Sequence, residues 1–315
     1  MSNLEAEPAE SVCASDAAGG PVRELMPGRE VVLGGTRGLA VSRTLPHKDR
    51  RMVGAWCFVD HYGPATHVMR VPPHPHTGLQ TVSWLIQGDV LHRDSLGNTQ
   101  LIRPGQLNLM TAGRAIAHSE ESQETTVLHG VQLWVALPDA DRHVEPAFTH
   151  HPDLPVVTDN GLAATVLIGQ LAGATSPARA HTPLVGAEVR LDTTAPVRLP
   201  LQPDFEYAVL ALTGAVEADG VPLDPGPLLY LGTGRADLAL RGAPQGTLLL
   251  LGGEPFDEQL VMWWNFVGRS HEEIVADRED WMAGRRFGPV VGYDGGALPA
   301  PELPGVQLRP RGRHR

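Results

Sequence analysis

The sequence predicts an all-β chain: two antiparallel barrels of jelly-roll type in tandem, closed by short C-terminal helices. Three observations carry this. Apolar runs of four to seven residues recur between Gly- and Pro-containing turns, the pattern of many short strands. Aromatic residues make up only 5% of the chain while Gly numbers 35 and Pro 28, which favours turns over long helices. The turn Arg103-Pro104-Gly105 before Leu107 is echoed by Leu223-Asp224-Pro225-Gly226 before Leu228, so the barrel is duplicated.

Residues 1–28 are rich in Ala, Glu, Ser, Gly and Pro without periodicity, and are expected to be a disordered tail. The first barrel is placed at 29–140. Its strands start with Val31-Val32-Leu33 and Leu39-Ala40-Val41, then Trp56-Cys57-Phe58-Val59-Asp60-His61. A Pro-rich loop leads into His74-Pro75-His76, and Pro75, lacking an N–H, confines that pair to a strand start, a bulge or an edge. Strands follow at 81–86, 90–94, 99–102, 107–110, 116–120 and 131–137. The polar stretch 141–155 is expected to be a linker, with His150-His151 solvated. A second barrel, 156–288, has strands at 164–168, 187–191, 207–212, 214–218, 228–231, 238–240 and 247–251. Helical spacing at 258–266 and 271–282 predicts one or two closing helices, with Trp263-Trp264 as core packing, before a coil tail at 289–315.

Residues two apart on a strand share a face. His74 and His76 therefore look one way, as do His118 and Glu120. If the two segments are neighbours, three imidazoles and a carboxylate converge, a donor set suited to Fe, Mn, Co, Ni, Cu or Zn. With 14 His in 315 residues a lone His-x-His is close to chance. The second pair, separated from the first by hairpin-like sequence, is what makes the pattern informative. The second barrel has His181 but no such pair, so no matching centre is expected there.

A formal charge of −11 disfavours phosphate-backbone binding, and the short basic end at 309–315 does not reverse it. Two cysteines, Cys13 and Cys57, do not make a disulfide framework, and Cys57 on an apolar strand is expected to be buried packing. No apolar run approaches a membrane span, and the acidic start is unlike a secretory signal, so a cytoplasmic location is expected. Gly232 and Gly234 lack a following helix pattern, which argues against a nucleotide loop.

The combination of Phe58-Val59-Asp60-His61-Tyr62-Gly63-Pro64, Pro72-Pro73-His74-Pro75-His76, His92-Arg93-Asp94-Ser95-Leu96-Gly97-Asn98, Met110-Thr111-Ala112-Gly113-Arg114, His118-Ser119-Glu120, Gln132-Leu133-Trp134-Val135 and Gly252-Gly253-Glu254-Pro255 resembles the pirin family of two-barrel cupins, over residues 30–288. The resemblance implies one metal, usually Fe(II), in the first barrel, at His74, His76, His118 and Glu120, and a second barrel without metal. It implies quercetin 2,3-dioxygenase activity as in bacterial members, with a flavonol-like aromatic and dioxygen as substrates. Glu120 would then be the catalytic base, taking the proton of the flavonol hydroxyl. The alternative it carries is a metal- and redox-responsive regulatory protein that meets a protein partner, as in an animal nuclear member. Thr77, Leu79 and Gln80 stand where the family more often shows Arg, Phe and Glu, and Ala115 replaces a Gly. Gln80, His61 and His92 are candidates for side chains that support the ligands.

Overall fold

In the first half of the chain, seven strands pair in the order Ala147–His151, Leu107–Thr111, Leu79–Gln87, Thr126–Ala136, Trp56–His67, Leu39–Leu45 and Arg29–Leu33. A four-stranded sheet of Arg70–His76, Ile116–Glu121, Val90–Asp94 and Thr99–Ile102 faces them. The second half repeats the plan. Its larger sheet runs Val156–Asp159, Leu162–Leu171, Leu184–Leu191, Gly246–Gly253, Glu206–Thr213, Leu228–Gly232 and Pro21–Met26, and the smaller one Val197–Pro200, Asp237–Gly242, Val216–Ala218 and Val221–Leu223. The structure, a computed structural model, describes residues 11–13, 20–33, 39–122 and 126–310. Among them no helix is long and apolar enough to cross a membrane.

Alternation along each strand sorts side chains between two environments. From the larger sheets, Val59, Val82, Val131 and Leu133 of one barrel pack against Leu210, Leu249 and Leu251 of the other in one core. Trp56 crosses that seam, its indole N–H 3.1 Å from the carbonyls of both Val185 and Gly252, and Trp84 donates to Glu188 at 2.6 Å. Inside the second barrel, Val166, Val189, Leu199, Leu238 and Leu250 fill the space with hydrocarbon.

Several expectations need correction. Residues 1–10 and 14–19 of the expected tail lie outside the described residues, but Pro21–Met26 is a strand that pairs with Leu228–Gly232 of the second barrel. Its pattern is illegible because only Met26 is buried, the strand lying at a sheet edge. The expected linker contains the strand Ala147–His151, which closes one edge of the first barrel's large sheet, and the half-buried His150 is held there by Asn108. Of the two helical windows only His271–Met282 is a helix, capped by Ser270, whose side chain accepts from the Glu273 N–H, with Glu272 and Glu273 in the first turn. Residues 258–266 instead supply the strand Leu260–Trp263, which returns through Trp264 and Asn265 to Phe266–Gly268. A short apolar run with a helical spacing is also compatible with a fully buried strand, and burial on every side decides it. Trp263 and Trp264 are core residues, packed with Phe266 and Ile274.

Residues 311–315 of the expected coil tail lie outside the described residues, and the segment from 283 to 310 is coil but is packed. Leu298 N–H bonds the Pro73 carbonyl, and Leu298, Ala300 and Leu308 join the cluster that backs the His74 strand.

Candidate metal centre

The four residues of the two sequence pairs lie on adjacent strands. His74 is directly opposite His118, and His76 opposite Ile116. Arg70–His76 is the edge strand of its sheet and the register shifts between His118 and Glu120, where Pro72 and Pro73 oppose the single Ser119. His74, His76 and His118 bring their rings to 4.3–5.1 Å centroid separations, and each is essentially buried. One nitrogen from each of the three lies within 4.8 Å of the others, and His92, His118 and Glu120 form an overlapping group under the same limit.

Hydrogen bonds decide which nitrogen each ring offers. His74 Nδ1 lies 2.8 Å from the Pro72 carbonyl and His76 Nδ1 3.2 Å from the Asn265 carbonyl. A carbonyl only accepts, so both Nδ1 atoms carry the proton and both Nε2 atoms keep a lone pair. His118 Nδ1 is 3.3 Å from His92 Nδ1, and His92 Nε2 is 3.1 Å from Asp94 Oδ2. Burial works to raise the Asp94 pKa, but hydrogen bonds from His92 and Asn98 overcome it and hold the carboxyl below the usual range. An anionic Asp94 accepts from His92 Nε2; in the neutral imidazole the lone pair then lies on His92 Nδ1, which accepts from a proton on His118 Nδ1. His118 Nε2 is thereby left with its lone pair. The Nε2 atoms of His74, His76 and His118 are all buried and without a hydrogen-bond partner.

Burial holds all three imidazoles neutral. It depresses His74 and His118 well below 6.5, with neighbouring imidazoles adding to it, and brings His76 down to about 3. Neutral imidazole is the form that binds a metal. Three convergent neutral nitrogens with one carboxylate therefore fit a first-row divalent ion.

The opposite wall is built in layers by strand register. Phe58, Trp134, Thr81, Met110 and Phe148 oppose one another across five strands. Phe58 stacks on Trp134 at 4.0 Å, Trp134 meets the His76 ring edge-on, and Phe148 stacks on His92 at 4.3 Å. Two residues along, a polar layer presents Asp60, Gln132, Ser83, Asn108 and His150. Ser83 Oγ lies 3.3 Å from Glu120 Oε1 and 3.0 Å from Gln132 Oε1. Asp60 is engaged by Arg43 through two bonds of 2.8 and 2.9 Å, and that guanidinium lies over Phe58. Below this, Tyr62 enters over Gly130, where a Cβ would stand 2.8 Å from the phenol oxygen. Burial and the nearby Glu120 push the Tyr62 phenol pKa up. Apolar Val41, Leu85 and Leu128 seal that end.

Of the supporting candidates, only His92 touches the cluster. His61 alternates with Asp60 and Tyr62 and so faces away from the interior, where its Nε2 meets His129 Nε2 at 2.9 Å. Gln80 faces the second barrel, donating to Thr111 Oγ1 at 2.9 Å and to the Arg179 carbonyl at 3.1 Å. Its parity with His74 and His76 does not survive Gly78, whose φ of +69° breaks the alternation between the two strands. Ser83, Asn108, Phe148 and His150 carry no signal in sequence as members of the site, since only strand register reveals them, whereas Asp94 shares a strand face with His92 two residues before it.

Two stacked antiparallel barrels with a histidine- and glutamate-lined interior in the first define a bicupin. Two family models match in tandem, Pirin over residues 38–135 and the Pirin C-terminal cupin domain over residues 186–288. The chain belongs to the pirin family. It is 49% identical over 282 residues to a Pseudomonas aeruginosa protein named "Putative quercetin 2,3-dioxygenase", covering 88% of this chain and 89% of that one. A pirin-like protein of Caulobacter vibrioides is 36% identical, with 83% and 94% covered. The crystal structure of a quercetin 2,3-dioxygenase from Acinetobacter baumannii superposes with a TM-score of 0.86 at 42% identity, covering 91% of this chain and 98% of that one.

Proposed function

We propose that this chain is a mononuclear metal-dependent dioxygenase that opens the central ring of a flavonol such as quercetin, with His74, His76, His118 and Glu120 as ligands and Fe(II) as the metal. The observation that carries the reading is the convergence of three buried Nε2 lone pairs beside one carboxylate inside a barrel. The names of the relatives supply the substrate class.

A bound divalent ion would supply a Lewis-acidic position for the substrate's hydroxyl oxygen and a redox partner for dioxygen. The chain's own residues do the rest. Glu120 takes the proton of the flavonol hydroxyl, which makes the ring electron-rich toward dioxygen. Ser83 steers that carboxylate through its 3.3 Å contact. His92 and Asp94 hold the His118 ring and its tautomer. Phe58, Trp134 and Phe148 line the wall with packed aromatic surface that excludes water from the interior.

The test is aerobic incubation of iron-loaded protein with quercetin, following loss of its visible absorbance and release of carbon monoxide. Turnover is expected in the wild type and absent in the His74→Ala, His118→Ala double variant. Equal rates in the two proteins would overturn the proposal.

A further inference from the structure

One polar residue of the barrel interior has no part in the reaction so far. Asn108 stands directly opposite Ser83 on one side and His150 on the other, so the three side chains share the inner face and Asn108 lies one strand from the hydroxyl that touches Glu120. It is 3% exposed. His150 Nδ1 is 2.8 Å from Asn108 Oδ1, and since an amide oxygen only accepts, His150 donates. That bond uses the oxygen and orients the amide, leaving Nδ2 buried and without a hydrogen-bond partner. A buried amide N–H without an acceptor is costly, so the site is built for a ligand that brings one.

The chemistry of that ligand is narrowed by its surroundings. The one guanidinium beside the polar layer among the described residues, Arg43, is engaged by Asp60. A neutral donor in the layer of Ser83, whose hydroxyl touches Glu120, suits a neutral carbonyl oxygen better than a carboxylate or phosphate, which Glu120 would repel.

We propose that Asn108, oriented by His150, is the second anchor of the substrate, donating through Nδ2 to a carbonyl oxygen beside the hydroxyl whose proton Glu120 takes. The site then selects planar hydroxy-ketones over phenols that lack the carbonyl. This rests on the reading of the His and Glu cluster as the substrate site and adds the group that gives it selectivity. The connector between the barrels thereby becomes part of the binding site, because the strand Ala147–His151 brings both His150 and Phe148 to it.

The experiment is calorimetric titration, without oxygen, of iron-loaded wild type, Asn108→Ala and Asn108→Asp with quercetin and with catechin, which carries hydroxyls on the same ring framework but no carbonyl. Metal content and melting temperature are measured alongside. Asn108→Ala is expected to weaken quercetin about tenfold and catechin less than about twofold. Asn108→Asp, which keeps the size and sets an oxygen against the carbonyl, is expected to weaken quercetin further; it carries the test if the alanine variant loses metal or melts early. Parallel weakening of both ligands, or no change for quercetin, overturns the proposal. If wild type binds quercetin but never consumes it in air, the dioxygenase reading falls and the quercetin-to-catechin ratio still judges Asn108. If wild type binds neither ligand, both fall.

Discussion

Replacing Asp94 by Asn should invert the hydrogen-bond chain that ends at His118. Asp94 accepts from His92 Nε2 through Oδ2, from the Leu96 and Asn98 N–H groups through Oδ1, and from the Asn98 amide through both oxygens. In Asp94→Asn the remaining oxygen is claimed by the two backbone donors, which leaves the new NH2 facing His92. To avoid two donors meeting, His92 must move its proton to Nδ1, and His118 must then accept at Nδ1 and protonate Nε2. That is the nitrogen a metal needs. Loss of an outer hydrogen-bond partner typically costs about 10–100-fold in metal affinity, or about 1.4–2.8 kcal/mol at about 1.4 kcal/mol per decade. Inversion should fall at the upper end. His92→Phe removes the intermediary, keeps the stack on Phe148, and lets His118 hold its proton at Nδ1, so its loss should be about tenfold or less. Competition for Fe(II) or Zn(II) against a chromophoric chelator at neutral pH measures both. Wild-type affinity in Asp94→Asn, or a larger loss in His92→Phe than in Asp94→Asn, would refute the tautomer argument.

Asp60→Asn strips the charge from the partner of Arg43, itself 3% exposed, and should destabilise by about 3 kcal/mol or more, seen as a lower urea midpoint. Burial, with His129 beside it, brings His61 down to about 4, below its unfolded value near 6.5, so the unfolded state binds more protons between these pH values. Stability from this group is full above pH 6.5 and declines as pH falls through 4, by at most about 3 kcal/mol. Urea unfolding at pH 7 and pH 5 should show a steeper acid loss in wild type than in His61→Leu, and equal slopes would contradict the shift. Removing metal with a chelator should lower the melting temperature of wild type but leave the His74→Ala, His118→Ala double variant unmoved, since only a native-state ligand adds stability by mass action.

What the sequence determined by itself is what depends on neighbours along the chain. Strand periodicity is local, so the short-strand pattern, the duplication, and the shared faces of His74 with His76 and of His118 with Glu120 are legible from the order of residues alone. So is the second helix window, whose apolar residues recur at helical spacing with Glu272 and Glu273 in the first turn. Where parity has to be carried across a turn it fails: Gly78 lies between His76 and Gln80, and the amide faces the other barrel. The expectation for His61 fails for a related reason, since nothing in sequence says which face of a doubly buried strand lines the interior. Only the tertiary structure decided that Pro21–Met26 serves the second barrel and that Ala147–His151 serves the first. Edge strands bury too little for their own pattern to announce them, and they are fixed by a partner far away in sequence. The same holds for Ser83, Asn108 and His150, which become neighbours through cross-strand register, set by which faces the two barrels bury.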